Sequence, residues 1–296
     1  MGRIFMKGAP VSIDAWLTDD LVKPFHEGQD WSDLPCILLP MANVEIPEKL
    51  RDRLQSVNSV GVITGAGVSV ESGIQPYRGA GGIYDDPEEG DRTVRAMTGS
   101  TLMRDPDLTW RTMAKIRRFD VKPNLGHEAI ARMERAVPQF SLLTQNVDGL
   151  HCMAGSVKLI EIHGNARYAR CMQCDERVSL DVDRFHLIST APVCDGCGGI
   201  MRPDVVLFGE QLPAESLTRM LEGFHYQSPD LLIAAGTSGG FDYIVDPMRH
   251  GRSRGVITVE VNPEETAVSA HCEFCLRGLA STWLNEIADV LEGVHS

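Results

Sequence analysis

The 296-residue sequence has no apolar run approaching the ~18 residues that a membrane-crossing helix needs. Its first residues, Met1-Gly-Arg-Ile-Phe-Met-Lys7, contain no apolar signal region, and Met6 stands where a myristoylation signal places Ser or Thr. A cytoplasmic address and no membrane partner are therefore expected. Basic residues are scarce: 28 Lys and Arg face 41 Asp and Glu, for a net charge of −13. A phosphate backbone rewards a basic face, which argues against nucleic acid as a partner. The acidic balance suits a solubilising surface and would also favour a basic, lysine-bearing substrate. No Gly-x-x-x-x-Gly-Lys-Ser/Thr phosphate loop occurs. The dehydrogenase fingerprint Gly-x-Gly-x-x-Gly fails as well, because Val70 stands where its third glycine belongs. Residues 80–100, where a second strand should deliver an acidic residue, read as loop. P-loop hydrolysis and hydride transfer are both argued against.

What the chain does have is two cysteine pairs, Cys171-x-x-Cys174 and Cys194-x-x-Cys197, separated by nineteen residues. Each pair can hold one metal ion with two thiolates, and together they close a tetrahedral shell. Four sulfur ligands leave no open position for a catalytic water, so a structural zinc is expected rather than a reacting one. A third pair, Cys272-x-x-Cys275, is expected to take no part, since that shell is already full. Cys36 and Cys152 read as packing residues.

Five short apolar runs end in polar or glycine-rich clusters. They are Val60–Thr64 into Gly65-Ala-Gly67, Phe140–Leu143 into Thr144-Gln-Asn-Val-Asp148, Leu159–Ile162 into His163-Gly164, Leu231–Ala235 into Gly236-Thr-Ser238, and Val256–Val261 into Asn262-Pro263. Such runs fit strands buried on both faces of a parallel sheet. Helical patterns lie between several of them: Pro47–Val57, Leu125–Ala136 behind Asn124 as cap, and Thr282–Glu292 behind Ser281, stopping near Gly293. Strand alternating with helix predicts an α/β fold, a doubly wound, mainly parallel Rossmann-like sheet, with ligands beyond the carboxyl ends of the strands. Residues 1–44 lack periodicity and read as an N-terminal extension.

The glycine loop Gly65-Ala-Gly-x-Ser69, with Ser72-Gly-Ile74 and Tyr77-Arg78-Gly79, follows a strand and opens a helical segment. Backbone amides there can approach a pyrophosphate. These residues, Thr144-Gln-Asn-Val-Asp148-Gly-Leu-His151, His163-Gly164, the two cysteine pairs, Val206-Leu-Phe-Gly-Glu210, Gly236-Thr-Ser238 and Asn262 occur in the order of the sirtuin family, which the chain closely resembles over roughly residues 45–292. The resemblance implies a sheet domain that holds NAD, assembled from 45–79, 124–165 and 228–292. A smaller zinc-ribbon and helical domain is inserted in it, with a helical and loop part at 80–123 and a zinc module at 166–205. It implies an NAD-dependent protein lysine deacylase, more specifically a deacetylase, that releases nicotinamide and O-acyl-ADP-ribose. An NAD glycohydrolase or mono-ADP-ribosyltransferase on the same scaffold is the alternative, and an NAD-sensing interaction protein a third class.

By the same resemblance His163 is the catalytic histidine, and its imidazole titrates near working pH. Asn146 and Asp148 join it around nicotinamide and ribose. Gly65, Ala66, Gly67, Ser69, Gly73, Ile74, Gln145, Val147, Gly236, Thr237, Ser238, Asn262 and Ala280 surround the rest of the cofactor. Arg78 offers a charged fork near the phosphates, and Tyr77 fills a place where the family usually has Phe. Val206, with Phe208 and Gly209, meets the acyl-lysine. His127 and His186 match no motif and read as structural.

Besides Tyr77, two further departures from the family pattern stand out. After Ser238 the chain runs Gly-Gly-Phe-Asp-Tyr-Ile-Val-Asp246, where the family usually continues into Val-x-Pro and pairs with the substrate backbone. Met113 and Ile116 fall near the expected place of the Tyr and Arg that mark succinyl- and malonyl-preferring members. Short neutral acyl groups are therefore expected.

Overall fold

The computed structural model describes residues 45–77, 82–83, 86–117, 120–181 and 185–295. The expected extension over 1–44, Cys36 and the candidate Arg78 lie outside the described residues. In chain order the strands are β1 Ser59–Thr64, β2 Gln139–Thr144, β3 Leu159–Glu161, β4 Gly164–Cys171, β5 Arg177–Ser179, β6 Met201–Val205, β7 Leu231–Ala235, β8 Ile257–Val261 and β9 Phe274–Leu276. The helices are α1 Glu48–Leu54, α2 Pro87–Ala96, α3 Gly99–Arg104, α4 Pro106–Ile116, α5 Leu125–Ala136, α6 Leu150–Met153, α7 Ala214–Leu221, α8 Asp242–Ser253 and α9 Ala280–His295.

Six strands form one sheet in the order β3-β2-β1-β7-β8-β9, every pair parallel. The five apolar runs are five of these strands, and β7 and β8 are buried at every position. Alternate residues feed opposite faces. Val60, Val62, Leu142 and Ile233 pack with Leu50, Ile130, Leu284 and Ile287 of α1, α5 and α9. Ile63, Leu143, Leu232 and Ala234 pack with Met220, Phe224, Ile244 and Met248 on the other face. Each fully buried Leu or Ile contributes about 1.5–3 kcal/mol, so these two layers hold the sheet. Numbered within the sheet, the strand order is 3-2-1-4-5-6, so the winding reverses between β1 and β7, the place where ligands bind in such folds.

A second, three-stranded antiparallel sheet, β5-β4-β6, has its own core. Trp110 of α4 fills it beside Phe185, and its indole N–H donates to the Met201 carbonyl at 2.9 Å.

Several expectations need correction. Residues 80–100 are not all loop: α2 occupies Pro87–Ala96, because the Asp86 side chain accepts from the Glu88 and Glu89 amides and Pro87 opens the first turn. α9 runs from Ala280 through Gly293 to His295, and the His295 ring meets the Val57 carbonyl at 2.8 Å and holds the last turn. The segment that the glycine loop opens is helical as expected, a 3₁₀ helix over Ala66–Ser72. α1 is shorter than expected, although Val57 still reaches the core. Cys152 is exposed and does not pack, since it lies on the outward side of the four-residue α6.

Candidate active site

The tips of β1, β2, β3, β7 and β8 carry the predicted residues, and hydrogen bonds knit them together. The Gly65 amide donates to the Ala235 carbonyl at 3.1 Å, and the Gly67 amide to the Gly236 carbonyl at 2.8 Å. This approach needs glycine on both sides: a Cβ on Gly67 would meet the Gly236 Cα at 2.7 Å, and one on Gly236 (φ +58°) would meet the Val68 nitrogen at 2.4 Å. Gln145 bridges the sheet's switch point, its side-chain amide donating to the Thr237 hydroxyl at 2.9 Å and the Thr64 carbonyl at 3.2 Å. Asn262 donates to the Thr237 carbonyl at 3.0 Å. Among the described residues, the amides of Ala66, Thr237 and Ser238 donate to no partner. Such amides at glycine-rich strand tips suit the pyrophosphate of a dinucleotide, so the residues present fit NAD.

Beneath the loop lies a buried polar network. Ser69 is fully buried, and its hydroxyl donates to the Asp148 carboxylate at 2.7 Å while accepting from the Asn146 amide at 3.1 Å. Asn146 also donates to the Gly65 carbonyl, and Asp148 accepts from the Leu150 amide at 2.9 Å. His127 Nε2 lies 3.4 Å from the Ser69 hydroxyl, and its Nδ1 accepts from the Asn124 amide at 3.3 Å. That bond places the His127 proton on Nε2, facing Ser69. Burial, partly opposed by the Asp148 charge, brings His127 down to about 4. His151 packs against it, Nε2 lying 2.9 Å from the Thr64 hydroxyl, and burial holds it well below the usual histidine range. His127 is thus structural in the sense expected, yet it backs Ser69 and through it Asp148.

His163 follows β3 and is pinned on both ring nitrogens. Nδ1 lies 2.9 Å from the Gln145 carbonyl, and Nε2 lies 2.6 Å from the Tyr243 hydroxyl. Phe241 packs its edge on the ring at 5.7 Å and stacks on Tyr243 at 5.1 Å. Burial lowers the His163 pKa and the bond to Gln145 partly opposes this. Its backbone carbonyl accepts from the Val206 amide at 2.9 Å, which ties the Val206–Gly209 segment to the same tip. Phe208 and Gly209 are exposed there. Tyr243 and Phe241 were not anticipated as site residues. The one signal for them was the departure from Val-x-Pro after Ser238.

Three placements qualify the sequence expectations. Met113 is fully buried in the cluster that holds Trp110, because its turn of α4 faces the core of the small sheet. Arg117 lies near Tyr77, its guanidinium 5.5 Å over the ring and donating to the hydroxyl. Ala280 opens α9 but packs in the core; the neighbouring Ser281 is what binds Glu71 of the 3₁₀ turn.

Cys171, Cys174, Cys194 and Cys197 bring their sulfurs within 4.8 Å of one another, the one such cluster among the described residues. Two of the sulfur separations are 3.4 and 3.7 Å. A tetrahedron with Zn–S of about 2.3 Å has edges of about 3.8 Å, so the four positions fit zinc. The Gln173 and Gly199 amides donate to the Cys171 and Cys197 sulfurs at 3.3 and 3.4 Å, as metal-binding knuckles require. Amides of Cys174 and Gln173 bring the Cys171 thiol down to about 7. Cys272 and Cys275 stand outside the cluster, as expected.

The sheet order, the glycine tips at its switch point and the thiolate cluster define a dinucleotide-binding α/β protein with a zinc-bearing module. Comparison with known proteins narrows this. The family model described as the Sir2 family matches residues 65–242. The NAD-dependent protein deacylase 2 of Pseudomonas aeruginosa is 39% identical over 232 residues, covering 77% of this chain and 90% of that protein. A solved Sir2 homologue–NAD complex superposes with a TM-score of 0.74 at 33% identity, covering 85% of this chain and 96% of that one. A Sir2 variant with a deacetylated p53 peptide and 3′-O-acetyl ADP-ribose gives a TM-score of 0.71 at 28% identity, covering 84% and 98%. The chain belongs to the Sir2 family.

Proposed function

We propose that this protein is an NAD-dependent protein lysine deacylase that works on short neutral acyl groups, acetyl first, in the cytoplasm. The observation that carries this reading is the convergence of His163, Asn146 and Asp148 on the glycine tips at the switch point, in a chain whose Sir2 relatives are NAD-dependent deacylases. Bound NAD supplies the ribose that accepts the acyl group. Within Gly65–Gly67 and Gly236–Ser238, the amides of Ala66, Thr237 and Ser238 bind the phosphates, since those of Gly65, Gly67 and Gly236 are bonded to carbonyls. Asn146 and Asp148, oriented by Ser69, face the nicotinamide and ribose, while Asn262 and Ala280 lie on the adenosine side. His163 acts as base through Nε2: the Gln145 carbonyl can only accept, so Nδ1 carries the proton and Nε2 the lone pair. Val206, Phe208 and Gly209 border the acyl-lysine, since their segment is bonded to His163. The parallel sheet thus takes NAD, and the helical part at 80–123 with the zinc module at 166–205 forms the smaller domain.

The test is incubation with NAD and an acetyl-lysine peptide. Peptide-dependent nicotinamide release is expected. Release that ignores the peptide would make the protein an NAD glycohydrolase or a mono-ADP-ribosyltransferase, and no release would make it a sensor. His163→Ala should lower turnover by ~10²–10⁴-fold, the usual share of a general base, while NAD binding and folding persist. Undiminished turnover in that variant would remove His163 from the mechanism.

A further inference from the structure

A base needs its lone pair, and in this structure the lone pair of His163 is already engaged. The Gln145 carbonyl fixes the proton on Nδ1, so the Tyr243 hydroxyl, 2.6 Å from Nε2, must be the donor in that bond. A phenol has one proton and two lone pairs. The proton goes to Nε2, and among the described residues no partner donates to the phenol oxygen. Tyr243 therefore keeps its acceptor lone pairs at one remove from the histidine.

The phenol is held in place. Tyr243 lies in the first turn of α8, its ring stacks on Phe241, and both pack against the core that contains Ile244 and Met248. The turn leading to it depends on Gly239 (φ +67°), where a Cβ would meet the Val268 side chain at 2.8 Å. The departure after Ser238 is thus the device that carries a hydroxyl to His163. The Sir2 family match ends at residue 242, one short of it.

We propose that Tyr243 is a further catalytic residue, a proton relay between a substrate hydroxyl and His163. The inference rests on the reading of His163 as the base. In one concerted step the substrate O–H bond breaks as its proton passes to the phenol oxygen. The original phenol O–H bond breaks as that proton passes to Nε2, so the phenol is regenerated and His163 becomes imidazolium. Burial pushes the Tyr243 phenol well above its ordinary range, so a free phenolate does not form and the two transfers are coupled. The titratable group facing the ring from α8 is Tyr243 itself. From the β2 tip the Gln145 carbonyl faces it, and no charged side chain among the described residues shifts its titration.

The test is Tyr243→Phe in the full chain, which keeps the ring and its stack and removes the hydroxyl. Single-turnover deacylation of an acetyl-lysine peptide with saturating NAD should slow by ~10²-fold, the scale of a positioned acid–base group. The proton inventory in H₂O/D₂O mixtures should change from curved, with two protons in flight, to linear. Without any substrate, ¹⁵N-histidine NMR should show Nδ1–H in both proteins, with the Nε2 resonance moving toward that of a free lone pair in the variant. Turnover that is unchanged or faster would overturn the relay and leave the phenol as a cover that substrate displaces. An unchanged Nε2 resonance would show that the bond itself is not made in solution. Full activity in a parallel His163→Ala variant would instead sink the base assignment, and the NMR result would stand apart from it.

Discussion

Ser69→Ala tests the network that sets up the site. The Ser69 hydroxyl is fully buried and serves three partners: the Asp148 carboxylate at 2.7 Å, the Asn146 amide at 3.1 Å and His127 Nε2 at 3.4 Å. Losing a hydrogen bond to a charged acceptor costs about 1.5–3 kcal/mol, and a buried N–H left on His127 adds about 1–3 kcal/mol. Asn146 keeps the Gly65 carbonyl and adds little. The expected loss is about 2.5–6 kcal/mol, a large share of the ~5–15 kcal/mol that holds a typical domain together. Ser156→Ala is the control, because its hydroxyl is buried with no partner among the described residues and its removal should be neutral or stabilising. Urea unfolding at pH 7.5 reads both variants. NAD affinity, measured by calorimetry, should fall about tenfold in Ser69→Ala, since 1.4 kcal/mol of lost orientation is worth that factor. A stability loss under ~1 kcal/mol, or one matching Ser156→Ala, would refute the arrangement of the network.

Metal analysis should return about one zinc per chain, and chelation should unfold the module around Trp110 before the parallel sheet, because thiolate–zinc binding energy is largely folding energy; stable, active metal-free protein would contradict this. A matched pair of acetyl- and succinyl-lysine peptides should differ by ~10²-fold or more in kcat/KM in favour of acetyl, since a carboxylate desolvated without a partner is costly. Equal preference would mean that Arg117, beside Tyr77, receives the carboxylate, for Arg111 and Lys115 are bonded to Ser189 and Glu89 instead. Glu161→Gln addresses pH. Burial pushes Glu161 up to about 7 from 4.5, so the native state holds an extra proton in that window and loses about 3 kcal/mol as pH rises through it. His127, lowered to about 4, acts in the opposite sense: stability is present above ~6.5 and is lost as pH falls toward 4. The two offset each other in the wild type. Unfolding midpoints for Glu161→Gln should therefore rise at pH 8 and drop steeply between pH 6.5 and 4, and a curve parallel to the wild type would exclude the assignment.

Much of the sheet was legible because burial on both faces leaves a local mark. β7 and β8 are unbroken apolar runs, and the Asn124 cap announces α5 within three residues. The cysteine pairs were equally plain, since a chelating bite is a short-range spacing. α2 was missed because its start signal, Asp86-Pro87, sits in glycine- and aspartate-rich surroundings that favour turns. The burial of Met113 was invisible for another reason: which face of α4 meets the small sheet is fixed by Trp110 reaching the Met201 carbonyl, 91 residues away.

The sequence by itself determined the parallel sheet, its polar tips and the four thiolates, because periodicity and ligand spacing act over a few residues. Only the tertiary structure decided that Ser69 serves Asp148 across 79 residues and that Tyr243 meets His163 across 80. Such bonds are made when strands far apart in the chain come side by side, and the pattern of either segment alone carries no trace of its partner.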